Sequence, residues 1–344
     1  MSGLRCSVVI PNWNGRHLLA ACLDSLKAQT LKAFELIVVD NGSTDGTAEW
    51  LEAERPEVRV IRLPENLGFS GGCNVGIRAA GGELVALLNN DTEVEPRWLQ
   101  ALCDAMDRDP RIGAADSKVY FYDARNVIWS AGCDYSIAGS VTHRGYLERD
   151  DQGRYANETD VFVAVACGIV YRRSALDKVG LFDEDFFSGY EDVDLSFRLH
   201  AAGYRVVNVP DSVVYHHVSA TARKDSDFYV FHGQKNVLYT FLKNMPGPLV
   251  WKYLPLHLIY TAGSLLYFAR LGRLGSALRA KFAVMKNFRS VMAKRKAIRA
   301  SRTLSSGEID RMLSSLPGIG KSTWSGLQSV SSSAKTLMPI SCAS

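Results

Sequence analysis

A chain of 344 residues with 47% hydrophobic and 22% charged content can bury one large core or two modest ones, which excludes disorder over most of its length. The net charge of +4 conceals an imbalance, because residues 270–302 hold eleven Lys/Arg and no acid, while 303–344 hold three bases and two acids. Of the 40 bases and 36 acids overall, residues 1–269 therefore keep 26 and 34, so an acidic body carries a basic arm.

In chain order, four short apolar runs predict buried strands over residues 6–10, 35–39, 58–63 and 84–88. Helical patterns stand between and after them: 17–29, with Leu18, Leu19, Cys22, Leu23 and Leu26 on one face, then 47–54 and 74–80. This alternation predicts an α/β fold, a doubly wound and mostly parallel sheet flanked by helices. The second half is more mixed, with strands expected over 114–121, 126–130, 160–165 and 205–209, and helices over 191–202 and 229–243.

Residues 247–275 are strongly apolar but interrupted by Lys252, Pro255 and His257, and the stretch 254–269 falls short of the roughly 20 residues that span a bilayer. With Trp251, Tyr253, Tyr260 and Tyr267 suited to the headgroup level, an interfacial or re-entrant helix is expected, followed by basic residues that meet anionic lipid. A helical hairpin packed on the body, or an oligomer contact, is the alternative. From residue 301 the chain is Ser-rich with few large apolar residues and is expected to be disordered or loosely held. The expected organisation is 1–110 and 111–245 as two halves of one domain, 246–302 as a membrane-associating helical region and 303–344 as a tail.

Seven scattered cysteines, with no C-x-x-C pair and no His/Cys cluster at zinc spacing, predict reduced thiols in a reducing compartment. The apolar stretch 8–10 is too short for a signal peptide and runs into Pro11, so a cytoplasmic location is expected, peripheral on the inner face of the plasma membrane. The basic arm carries no aromatic-interleaved or groove-reading motif, so nucleic acid is not an expected partner.

In a wound sheet, ligands bind beyond the carboxyl ends of the strands. Four polar clusters stand there: Pro11-Asn12-Trp13-Asn14, Asp40-Asn41-Gly42-Ser43, Pro64-Glu65-Asn66 and Asn89-Asn90-Asp91. A dinucleotide site would need G-x-G-x-x-G after the first strand, where this chain has "PNWNGR". "GIGKST" (318–323) imitates the end of a P-loop, but Ser315 replaces the upstream glycine. "ENLGFSGGCNVG" (65–76) is the better phosphate candidate, with Gly68, Gly71 and Gly72 opening a turn before a helix beginning at Asn74. Asp91 can hold a divalent cation bridging a pyrophosphate, with Asn89 adding an amide oxygen, or it can cap a helix. "SGYEDVDLSFR" (188–198) places Glu191, Asp192 and Asp194 at a helix start. There they either favour the helix dipole or raise one another's pKa to make a base. "VVYHHVSAT" (213–221) offers two histidines as structural groups or ligands.

"SVVIPNWNG", "ELIVVDNGSTDGT", "ENLGFSGGCNVGI" and "LLNNDTEV" resemble the nucleotide-sugar half of glycosyltransferase family 2, inverting enzymes of the GT-A fold. "ACGIVYRRSALDKVGLFDEDFFSGYEDVDLSFRLHAAGYRV" resembles its acceptor half, and "FHGQKNVLYTFLKN" its bacterial rhamnosyltransferase-like branch. The resemblance implies that Pro11, Asn12, Trp13 and Asp40 line the base and ribose pocket. It also places Gly68, Gly72, Asn74, Asn89 and Asn90 along the nucleotide sugar, and Asp91 with His216 on Mg2+ or Mn2+. Asp192 is implied as general base beside Glu191. Asn89 stands where the family's D-x-D has its first aspartate, which lowers the charge at the cation. His217 is the alternative ligand if the register shifts by one. The implied reaction moves a sugar, rhamnose by the branch resemblance, from a dTDP- or UDP-linked donor to a lipid-linked or saccharide acceptor in polysaccharide synthesis. A processive synthase would want Q-x-x-R-W, but Val94 precedes Arg97-Trp98. A nucleotidyltransferase would want a basic glycine-rich first loop, and a non-catalytic sugar-nucleotide scaffold would not need Asp91, Glu191, Asp192 and His216 together.

Overall fold

The first apolar run forms β1 (Cys6–Asn12), every residue of which is buried, and it leads into α1 (Arg16–Lys27). The computed structural model describes residues 4–218 and 226–315, so the P-loop-like 318–323 lies outside them. The pattern repeats through β2 (Phe34–Asp40), α2 (Thr47–Glu54), β3 (Arg59–Arg62), α3 (Gly68–Ala79) and β4 (Leu84–Leu88). Then come β5 (Thr92–Val94), α4 (Trp98–Arg108), β6 (Ile112–Phe121), β7 (Ala124–Ser130), β8 (Cys133–Tyr135), β9 (Val141–His143), β10 (Thr159–Asp160) and β11 (Gly168–Arg172). The described chain ends through α5 (Arg173–Val179), α6 (Glu191–Ala201), β12 (Arg205–His216), α7 (Asp227–Asn244), α8 (Gly247–Arg270), α9 (Leu274–Lys286), α10 (Phe288–Ser301) and α11 (Ser306–Met312).

The main sheet runs β10-β12-β6-β11-β4-β1-β2-β3, with β1 parallel to both β2 and β4. The chain winds outward from β1 through β2 and β3, then returns to β4 on the other side. The ends of β1 and β4 therefore flank a switch point, where a crevice opens. β11 enters antiparallel between β4 and β6 and joins the two halves in one sheet. β5 pairs antiparallel with the end of β12, setting His216 opposite Thr92.

Several expectations are corrected. α3 begins at Gly68, six residues before the expected start, so Gly71 and Gly72 lie inside the helix and not in a turn before it. The glycines serve close packing: a Cβ at Gly76 would sit 2.2 Å from Val9 Cγ1, and one at Gly72 would sit 3.0 Å from Asn41 Nδ2. Val161 N–H still donates to Val206 of β12, but the chain then leaves the main sheet because the next amides are spent elsewhere: Val163 N–H donates to the Cys133 carbonyl at 2.9 Å and Ala164 N–H to Ser196 Oγ at 3.3 Å. β12 continues past Val209 to His216, since a register shift between Val209 and Val213 accommodates Pro210. The tail from 303 is not disordered throughout. Ser305 and Glu308 form a capping box that starts α11, where Ile309 is buried and Asp310 pairs with Lys252 at 2.6 Å.

Candidate active site

Each polar cluster at the sheet edge is wired to the next. Asn12, at the end of β1, accepts a 2.6 Å hydrogen bond from Asn90 Nδ2 across the switch point, and its own amide reaches Thr47 Oγ1 at 3.3 Å. Gly15 lets them meet, since a Cβ there would lie 2.1 Å from Asn90 Nδ2. Asn41 donates to Asn66 Oδ1 and to the Gly68 carbonyl, both at 3.0 Å, and accepts from Leu67 N–H at 2.9 Å. One cavity opens over this floor, lined on its polar side by Pro11, Asn12, Trp13, Asn41, Asn66, Asn89, Asn90, Asp91 and His216.

β4 stops at Leu88 because Asn89, Asn90 and Asp91 turn the chain into β5, so Asp91 is not a helix cap; α4 begins at Trp98. Asp91 Oδ1 lies 3.1 Å from His216 Nε2. Burial alone would raise the Asp91 pKa, but the neighbouring histidine outweighs it and holds the carboxyl below its usual range. His217 stacks on Tyr122 at 3.6 Å instead, which leaves His216 as the histidine at Asp91. The buried Asn89 Oδ1 and His216 Nδ1 make no hydrogen bond among the described residues. A carboxylate, an imidazole nitrogen and an orphaned amide oxygen form a donor set that fits a divalent cation. No cluster of three or more His, Cys, Asp or Glu able to hold a metal occurs among the described residues.

Of the predicted binding residues, Asp40, Gly72 and Asn74 do not line this cavity. Asp40 Oδ1 accepts from Ser43 N–H at 3.3 Å. Asn74 is committed to the loop before α6, donating to the Phe182 carbonyl at 2.9 Å and accepting from Phe182 N–H at 3.0 Å. Gly68 does line it, with φ +74, and a Cβ there would lie 2.5 Å from the Phe187 carbonyl. Nothing in the sequence marks Gly15, Phe187, Phe228, His232 or Gly233 singly, yet the last four line the cavity together with Phe69, Ser188, Gly189 and Tyr229. "FHGQKN" held part of that signal, but nothing in it says which helix face meets the cleft.

The three acids of α6 separate by environment. Asp194 is spent on structure: it meets Arg198 at 2.8 Å and Lys243 at 2.7 Å, and it accepts from Asn244 at 2.8 Å. Among the described residues, Glu191 and Asp192 have no such cations. Burial, then the Asp192 charge, pushes Glu191 up to about 8, and burial raises Asp192 to about 6 despite the backbone N–H groups of Val193 and Ala166. Desolvation thus outweighs the helix N-terminus, which favours the ionised form. Ala166 N–H reaches Asp192 Oδ2 at 3.4 Å, and the adjoining Cys167 carbonyl accepts from Asn89 N–H at 3.0 Å. Asp192 and the Asn89–Asp91 turn therefore flank one two-residue stretch. The loop leading to Asp192 has positive φ at Phe187, Gly189 and Tyr190, and Asn236 of α7 holds it by donating to the carbonyls of Phe186, Ser188 and Gly189.

Asp116 lies fully buried nearby on β6 with no hydrogen bond of normal geometry to its carboxyl oxygens, and burial raises its pKa well above the carboxylate range. A group whose folded pKa is raised contributes stability that is complete below its unfolded value, about 3.9, and is lost as pH climbs toward the folded value. Asp116→Asn is therefore expected to raise the melting temperature relative to wild type, by an increment that grows as pH rises above about 4 in thermal denaturation scans. An increment independent of pH would show that the Asp116 proton does not matter to stability.

A mixed sheet with a switch-point cavity, a carboxylate–histidine pair and a desolvated acid define the class: a GT-A-type sugar-nucleotide fold. The chain belongs to glycosyl transferase family 2, whose profile matches residues 7–180. It is 30% identical over 263 residues to the N-acetylglucosaminyl-diphospho-decaprenol L-rhamnosyltransferase of Mycobacterium tuberculosis, covering 69% of this chain and 85% of that one. It is 31% identical over 232 residues to the O-antigen biosynthesis protein RfbC of Myxococcus xanthus, covering 64% of this chain and 18% of that one. The chain spans less than a quarter of the length of its larger curated relatives. The fold is shared with the mannosyltransferase PcManGT of Pyrobaculum calidifontis, solved with GDP-Man and Mn2+, at a TM-score of 0.51 and 22% identity over 86% of this chain and 85% of that one.

Proposed function

We propose that the protein transfers a sugar from a nucleoside diphosphate to a hydroxyl of a saccharide or lipid-linked acceptor, with inversion at the anomeric carbon. The observation that supports this reading most is the gathering of the Asn12–Asn90 bridge and the Asp91–His216 pair at one cavity, with the raised-pKa Asp192, itself outside the lining, held against the Ala166–Cys167 stretch that also bonds Asn89. Asp192 accepts the proton of the acceptor hydroxyl as its oxygen bonds to the anomeric carbon. The bond from that carbon to the diphosphate oxygen breaks with its electron pair. Asn12, Asn90 and the Asn41–Asn66 pair orient the donor, and Asp91, His216 and Asn89 are assigned to Mg2+ or Mn2+. A bound cation would neutralise charge developing on the diphosphate. Rhamnose is the sugar favoured by the name of the mycobacterial relative, which also supports a polyprenyl diphosphate-linked acceptor; a dTDP or UDP donor is proposed from the resemblance of the sequence motifs. A screen of nucleotide sugars for donor turnover, with and without chelator, tests it. Turnover of none, or full turnover with chelator present, would overturn the donor or the metal assignment respectively.

The C-terminal helices are assigned to a membrane surface. None of the described helices is long and apolar enough to cross a membrane. Yet α8 exposes Trp251 (77%) and Ile259 (69%), α9 exposes Phe282 (72%), and Arg279, Lys286 and Arg289 stand exposed beside them. Part of the basic arm is spent internally, since Lys281 donates to the Gln234 carbonyl at 2.7 Å and Lys294 pairs with Asp183 and Asp185. Replacing Arg279, Lys286 and Arg289 together with Ala is expected to weaken sedimentation with phosphatidylglycerol vesicles by about 3 kcal/mol at low salt, roughly 100-fold. Equal binding by the variant would remove the lipid assignment.

A further inference from the structure

We propose that Phe187, Phe228 and His232 form a stacking shelf for the pyranose ring of the acceptor, and that Gly233 keeps the space above it clear. This deepens the glycosyl-transfer reading and rests on it. The three rings adjoin one another: Phe187–His232 centroids are 5.2 Å apart and nearly parallel at 28°, Phe228–His232 are 4.5 Å apart, and Phe187–Phe228 are 5.9 Å apart. All three line the cavity, yet Phe228 remains 46% exposed. They share the cavity with Asp91 and His216, and Phe187 stands on the short loop that leads into Asp192, which ties the shelf to the base.

Gly233 supplies an independent reason. It lies inside α7 and lines the cavity, and a Cβ there would meet no described atom within 4 Å. Neither packing nor a positive φ requires glycine at this position, and glycine is unfavourable in a helix interior. Open space beside an aromatic surface suits a flat ligand with an apolar face, which a pyranose ring presents through its axial C–H bonds. Burial, reinforced by the Lys235 charge, lowers the His232 pKa to about 4, so the ring stays neutral at physiological pH and an apolar face can cover it without desolvating a charge. Asn236, one turn along the same helix, clamps the carbonyls around Phe187 and keeps the shelf in register with Asp192.

Two probes sharing one ring separate the occupants: methyl N-acetylglucosaminide and N-acetylglucosaminyl-diphospho-decaprenol in detergent micelles. Phe228→Ala is expected to raise KM for both about tenfold, with donor Kd by calorimetry within twofold of wild type. Gly233→Ala is expected to raise the melting temperature by about 1–3 °C, because alanine suits the helix, while KM for both probes rises severalfold. Loss of donor affinity in parallel would reassign the shelf to the donor and overturn the proposal. An effect confined to the decaprenol probe would give it to the lipid chain and overturn it, as would unchanged KM values or a wild type that accepts neither probe. If the wild type turns over no nucleotide sugar at all, the transferase reading fails first, and the donor screen shows that separately.

Discussion

Asp192→Asn is expected to lower transfer by about 10²–10⁴-fold, the range supplied by a positioned general base, while donor affinity stays near wild type. Asparagine keeps the size of the side chain and its bond from the Ala166 amide, so the loss reports the missing proton acceptor and not a collapsed loop. The pH dependence follows in sign. The reactive form is the carboxylate, so the wild-type rate rises with pH, passes half its plateau near 6 and levels above that value. Glu191 is raised further, to about 8, and is protonated at neutral pH. Because Gln mimics that neutral acid, Glu191→Gln is expected to keep transfer within about tenfold of wild type, well short of the loss at Asp192. The two acids are close enough to titrate as a pair, so the rate profile belongs to both. Undiminished transfer by the Asp192 variant would remove it from the chemistry.

Asp91→Asn should be the second large effect, with kcat/KM falling about 10²–10³-fold, comparable to losing one preorganised electrostatic group at a developing anion. The substitution replaces the charged partner of His216 Nε2 with a neutral amide and removes the one carboxylate among the described residues that line the cavity. Activity should recover in part as Mn2+ is raised, and His216→Ala should show the same direction with a smaller loss. A variant with unchanged metal titration and rate would place the cation elsewhere.

What the sequence disclosed, and what it withheld, follows from the kind of signal each part carries. β1, β2 and β4 are apolar runs bounded by polar turns, so their ends were read to within two residues of Cys6–Asn12, Phe34–Asp40 and Leu84–Leu88; β3 (Arg59–Arg62) was placed as closely, but it is an edge strand with exposed ends and not the buried strand expected. β11 went unread, because Gly168–Arg172 is five residues long, starts at glycine and runs directly into α5. The run "VFVAV" at 161–165 has strand composition, yet its backbone supports α6 through the Ala164 and Ala166 amides, a tertiary use that periodicity does not register. The glycines of α3 looked like a loop, since their reason, contact with Val9 and Asn41, lies in strands far away in sequence. At the site, Asp91, His216 and the Glu191–Asp192 pair were legible as residue types at strand and helix ends. The difference between Asp194 and Asp192 was not, because it depends on Lys243 and Arg198 arriving from other parts of the chain.

The antiparallel entry of β11 bears on how this protein could be divided. β4 is hydrogen-bonded on one side to β1 and on the other to β11, whose residues come about eighty positions later. A fragment ending near residue 110 would leave the Leu84–Leu88 ribbon, entirely apolar, with bare amides and carbonyls along one margin. Such a piece would recruit strands from other molecules and precipitate. The segment assigned to the sugar nucleotide is thus not a module that can be expressed alone, however self-contained its motifs look.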